Sequence, residues 1–242
     1  MLRLPSVFSS GALFLHSASL TVSGESDSDT VTLELTSGKE VCGLYTATVI
    51  DGCFAITFNT PSASFTKYEM TVTSGEDSVT LTDILFGELF LASGQSNMEW
   101  PTRYMPHREE IYAALSGKNI RIYYGKPKDR TAMMPTKPER YHTGSWTSVD
   151  GVPTYADGSV LALSFALTLY GYFEKEGRDI PVGILSLSLG GIPIETYFTE
   201  EDILSDPDVY EYIYQHQYPQ RIRKVLRHHH RRTGRGSQSP GG

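Results

Sequence analysis

The sequence predicts an α/β protein in two parts, an N-terminal antiparallel β-sandwich over residues 1–83 and a parallel-sheet domain over residues 84–215. Three observations carry this expectation. Apolar residues recur with a period of two from residue 6 to about 83. Near residue 84 the pattern changes to strand, helix, strand, helix, strand, which is how a parallel sheet covered by helices is written. Two of those later strands run into loops of glycine and other small residues.

The elements follow in order. Residues 30–35 (TVTLEL) alternate, with Val31, Leu33 and Leu35 on one face, and residues 67–73 (KYEMTVT) do the same with Tyr68, Met70 and Val72. Further β-rich runs lie at 12–16, 44–50, 53–58 and 79–81, separated by Gly, Ser, Asp and Asn clusters at the spacing of an antiparallel sandwich. Residues 88–92 (ELFLA) form a short apolar strand that enters the junction SGQSNM at 93–98. A helix is expected at 106–115, a strand at 120–124, a buried helix at 160–176 ended by Gly177, and a strand at 182–187 closing on Gly190-Gly191. An acidic start at 206–208 leads into a helical pattern at 209–214. From residue 216 to 242 the composition becomes Arg, His, Gly, Ser and Pro, a basic low-complexity tail expected to be disordered.

Composition narrows the function classes. The chain has 242 residues, 20% of them charged, and a net charge of −7. Residues 221–242 hold seven of the 21 basic residues and no acid, so residues 1–220 carry 14 positive against 28 negative charges, a net of −14. An acidic body repels phosphate, so neither nucleic acid nor an anionic membrane is expected as a partner, and nucleic-acid binding by the tail is read as a by-product of its composition. No run of 18 apolar residues occurs, and the N-terminal apolar stretch is interrupted by Pro5, Ser9, Ser10, Gly11 and His16. The first residues are therefore read as mature protein, with cytoplasmic residence as the default. Cys42 and Cys53 have no further Cys or His spaced for zinc and are expected to be small core residues. His228, His229 and His230 are read as part of the flexible end; no metal and no cofactor are expected.

Ligands of an open parallel sheet bind outside the carboxyl ends of its strands. A serine just beyond such a strand can expose its hydroxyl and aim its own N–H at the same point. A glycine pair beyond a neighbouring strand can bring a further N–H close. Together these describe acyl transfer. A helix N-cap and a tight turn require the same residue types, and spacing alone favours that reading.

The wording of residues 83–100 (DILFGELFLASGQSNMEW) resembles the sialate O-acetylesterase family of SGNH-type carbohydrate esterases. Residues 94–98 (GQSNM) match its nucleophile block. Residues 181–184 (PVGI) and 190–195 (GGIPIE) are similar to its second segment, with Ile192 where threonine is usual, and residues 4–9 (LPSVFS) resemble the opening of its β-sandwich. The resemblance implies a three-layer, flavodoxin-like esterase sheet without a metal and an O-acetylated sugar, sialic acid or another acetylated glycan, as substrate. It makes Ser96 the nucleophile, supported by Gly94, Gln95 and Asn97, and gives the oxyanion to the N–H groups of Ser96 and of Gly190 or Gly191. A serine hydroxyl also needs a base and an orienting carboxylate. The family's Asp-x-x-His block and Gln-Gly-Glu segment have no match among these residues. Of His16, His107, His142, His216 and His228 to His230, only His142 has a carboxylate three residues before it, Glu139. Three parallel strands are recognisable where about five are needed. The expectation is a truncated esterase portion, weak or inactive as it stands. The alternative is a non-catalytic sugar-binding sandwich using Tyr45, Phe54, Phe58, Phe65 and Tyr68.

Overall fold

The computed structural model describes residues 1–127, 142–147, 158–191, 200–208 and 211. Two compact units are distinguished: Met1–Lys128 with Pro138–Gly191, and Asp129–Lys137 with Ile192–Gly242. In the second, the described helix is α4 (Glu200–Ser205).

The first unit is mixed α/β, mostly sheet with few helices. A three-stranded antiparallel sheet has the order β1 (Leu2–Arg3), β3 (Ser19–Ser26), β6 (Cys53–Asn59). A larger mixed sheet contains β2 (Leu13–Leu15), β4 (Thr30–Ser37), β5 (Glu40–Thr48), β7 (Ser64–Ser74), β8 (Asp77–Gly94), β9 (Ile120–Pro127), β10 (His142–Thr147) and β11 (Val182–Ser188). Its order is β10-β9-β11-β8-β7-β4-β5, with β2 paired to β8. Alternation sends Val22, Phe54, Ile56 and Phe58 of the small sheet into one apolar core with Val31, Leu33, Leu35, Met70, Val72 and Leu81 of the large one.

The long strand β8 joins the two regions. Its first half pairs antiparallel with β7, Val72 opposite Val79, and its second half pairs parallel with β11, Val182 opposite Glu88 through Ser188 opposite Gly94. The boundary expected at 83/84 falls within this strand, at Asp83, where φ is +56°. β11 lies between β8 and β9 and is parallel to both, so the three expected parallel strands are adjacent. Val182 and Ile184 face a second core with Ile120 and Ile122 of β9, Leu115 of α2 (Arg108–Leu115) and Leu163 and Ala166 of α3 (Val160–Lys175). Leu185 and Leu187, pointing the other way, pack on the first core. Among the described residues, helices thus cover one face of the parallel strands and the N-terminal apolar core covers the other.

Helix α3 begins where Ser159 Oγ accepts the Ala162 N–H at 3.2 Å and ends at Gly177, φ +66°. The structure adds β1, β3 and β10 to the expected strands. The helical pattern expected at 209–214 lies outside the described residues except for residue 211, and the tail lies wholly outside them. Cys42 and Cys53 depart from expectation: both are exposed free thiols, because alternation along β5 and β6 puts them on the solvent side. The sandwich aromatics are packed: Phe54 and Phe58 are buried, Tyr45 stacks on Phe58 at 4.9 Å, Phe65 stacks on Tyr170 and Tyr68 meets Phe86 edge-on.

Candidate active site

Because β8 and β11 are parallel and end in register at Gly94 and Ser188, the loops that follow them leave the sheet side by side. Three bonds tie the ends together. Ser93 Oγ donates to Leu187 O at 3.4 Å, Ser188 Oγ to Ala92 O at 3.3 Å, and Leu189 N–H to Gly94 O at 3.0 Å. Gly94 makes the turn: its φ is +155°, and a Cβ there would stand 3.1 Å from Met98 Cβ.

A one-turn helix follows, α1 (Ser96–Glu99), closed by the N–H groups of Met98 and Glu99 donating to Gln95 O, each at 2.9 Å. Its inward residue is Met98, which packs against the second core and accepts from Ser159 Oγ at 3.7 Å. Gln95, Ser96 and Asn97 are exposed. No described residue hydrogen-bonds Ser96 Oγ.

Gly190 comes up against this helix. A Cβ there would lie 3.1 Å from Ser96 Oγ, 3.4 Å from Ser96 Cα and 2.7 Å from Glu99 Oε2. Its N–H donates to Glu99 Oε2 at 2.6 Å. Gly191 is exposed at φ +78°, completing a turn that only glycine adopts without strain. The fold therefore brings Ser96 and Gly190 together across 94 residues of sequence, with Gly191 next in the chain. Sequence reasoning missed Glu99, whose partner lies 91 residues away. A hydroxyl exposed at a strand end and closely approached by a glycine turn is an arrangement that attack on an ester carbonyl can use.

The two histidines with described side chains pair with carboxylates. His16 Nε2 is 3.5 Å from Glu88 Oε1, and His107 Nδ1 is 3.2 Å from Glu110 Oε1 on α2. The backbone of His142 is in β10, while its side chain, Glu139, His216 and His228 to His230 lie outside the described residues. Among the described residues, no three His, Cys, Asp or Glu side chains are grouped to hold a metal ion, and no helix is long and apolar enough to cross a membrane.

No protein-family model matches the sequence. The chain is 27% identical over 125 residues to a sialate O-acetylesterase of Rattus norvegicus, an alignment covering 48% of this chain and 21% of that protein. In structure it is similar to a carbohydrate acetylesterase from Xanthomonas citri, with a TM-score of 0.67 and 21% identity over 86% of this chain and 45% of the other. The chain thus spans about a fifth of the curated relative and under half of the solved structure. In sequence, then, the chain is similar to a sialate O-acetylesterase over part of its length, and in fold to a carbohydrate acetylesterase.

Proposed function

We propose that the chain carries the nucleophile and part of the oxyanion hole of an SGNH-type serine esterase acting on O-acetylated sugars, sialic acid or another acetylated glycan. In this reading residues 1–83 form the β-sandwich and residues 84–215 the esterase portion. The observation that supports it most is the approach of Gly190 to Ser96 Oγ, where two loops with the family's wording meet at the carboxyl ends of adjacent parallel strands.

Ser96 Oγ attacks the acetyl carbonyl, and the negative charge on its oxygen is held by the N–H of Ser96 and by the glycine turn. Gly190 N–H is engaged by Glu99, so in this reading the oxyanion is assigned to the N–H of Gly191. The C–O ester bond breaks, the sugar hydroxyl leaves with a proton, and water releases acetate from the acetyl-enzyme. His16 and His107 are paired with Glu88 and Glu110, and this reading assigns neither of them as the base that removes the Ser96 proton. We expect the chain alone to hydrolyse acetate esters weakly or not at all, while Ser96 keeps a slow reaction with an active-site-directed phosphonate, assisted by the oxyanion N–H groups alone. Labelling of Ser96 that is lost in Ser96→Ala supports the nucleophile assignment. Turnover of p-nitrophenyl acetate at the rate of a complete esterase would overturn the expected inactivity, and absence of labelling would overturn the role of Ser96.

A further inference from the structure

Four and eight residues beyond Ser96, the chain presents two large aromatic rings to solvent. Trp100 is 50% exposed and Tyr104 60% exposed, with ring centroids 5.9 Å apart and planes inclined by 59°. Leaving so much apolar ring surface in water is costly for folding, and slack backbone does not account for it. Trp100 O accepts the Val160 N–H at 3.0 Å, and Pro101 forms an isolated bridge with Ser159. Thr102, fully buried, donates both its N–H and its Oγ1–H to Gly158 O, each at 2.9 Å. The Arg103 guanidinium sits 4.8 Å from the Tyr104 ring centroid, and its Nη2 donates to the Tyr104 hydroxyl at 3.3 Å. The backbone under the rings is anchored to the start of α3 while the rings themselves are turned outward.

Helix α1 relates this pair to the nucleophile. Trp100 is the C-cap of this one-turn helix, with φ −54° and ψ 113°, so the chain leaves the helix at Trp100, roughly 6 Å along the axis from Ser96.

We infer that Trp100, with Tyr104 as its side wall, is the ring-binding subsite of the enzyme, on which the C–H face of an acetylated pyranose stacks while its ester reaches Ser96. The face of an aromatic ring is electron-rich and attracts the polarised C–H groups of a sugar. The hydroxyl rim of the sugar remains hydrated, which suits an open platform better than a closed pocket. The direction of the ester toward Ser96 rests on the esterase reading; the stacking itself does not.

The chain has two tryptophans, and Trp146 is buried beside Tyr123 and Phe14, so solvent-exposed indole emission reports on Trp100. In the Ser96→Ala chain, titration with methyl 6-O-acetyl-β-glucopyranoside is expected to quench and blue-shift that emission. By ligand-observed NMR, Trp100→Ala should weaken binding about tenfold, the loss of one stacking contact, and Trp100→Phe should restore part of it. Tyr172→Ala, an equally exposed aromatic on α3, should leave binding unchanged. Absence of sugar binding by the Ser96→Ala chain, or equal binding by Trp100→Ala, overturns the subsite. Phosphonate labelling of Ser96 in the intact chain separates the two readings: no labelling with Trp100-dependent binding removes the esterase assignment alone, and labelling with Trp100-independent binding removes the subsite alone.

Discussion

A charge-assisted hydrogen bond from Gly190 N–H to Glu99 Oε2 seats the glycine turn on the helix that begins with Ser96. Its vulnerability is geometric. In Gly190→Ala the new methyl would stand 2.7 Å from Glu99 Oε2 and 3.1 Å from Ser96 Oγ. The flexible Glu99 can swing aside, but Gly190 N–H then loses its acceptor and the turn lifts from the serine. We expect a stability loss of about 1 kcal/mol and a fall of about tenfold in phosphonate labelling of Ser96, read by thermal melts and labelling kinetics. An alanine variant that matches the parent in both would show that the turn does not depend on this close approach. At this scale the sequence was legible where residue type is forced. Gly94, Gly190 and Gly191 each stand where a positive φ or a close contact disfavours a side chain. Glu99 was not legible, because any acidic residue on a surface turn looks alike until the chain closes and supplies Gly190. Cys42 and Cys53 were misjudged for a related reason: a small apolar residue in an alternating strand has two faces to choose from, and pairing decides which is wet.

Among the elements, β8 was the hardest to recognise. Asp83 and Gly87 interrupt its apolar pattern, so it read as two short strands, yet both residues fit specific contacts within one. Asp83 holds its positive φ with Oδ1 paired to Lys67 Nζ at 3.0 Å and to Arg121 Nη2 at 2.9 Å, and Arg121, nearly buried, also donates to Ala12 O. Gly87 passes so close to Pro181 that a Cβ would meet its Cγ at 2.7 Å. Asp83→Ala strips the carboxylate from a buried guanidinium. We expect it to cost about 2 kcal/mol, less than breaking a fully buried pair because Asp83 is partly exposed, whereas Lys67→Ala, an exposed partner, should cost less than about 1 kcal/mol. Urea unfolding of the two variants checks this, and equal losses would mean that the ion pair with Arg121 carries no special weight. Strands β3 and β10 escaped notice because Ser, Gly and Thr dominate them. β3 is held by seven residue pairs with β6, Ser19 opposite Asn59 through Glu25 opposite Cys53, and β10 by pairing with β9 and by Trp146 Nε1 donating to Val7 O at 2.8 Å. Helix α3 was plain from sequence, having the length and apolar spacing of a buried helix and a terminal glycine.

On the scale of the whole molecule, the sequence conveyed two regions of different period. It did not convey that they share a sheet, because hydrophobic period reports the local environment of a strand and not its neighbours. The parity of β11 illustrates this: Val182 and Ile184 serve the helical core while Leu185 and Leu187 serve the N-terminal one. β8 serves both as well, with Ile84, Leu85 and Phe86 in one core and Ala92 in the other. A strand common to two cores makes them a single cooperative unit, since neither can open without withdrawing backbone partners from the other. Native-state hydrogen exchange should therefore give the slowest amides of β4 and β7 the same opening free energy as those of β9 and β11. A gap above about 2 kcal/mol would identify separate foldons. Damage to either core would then be felt at Ser96, so the nucleophile loop acts as a reporter of the integrity of the whole sheet.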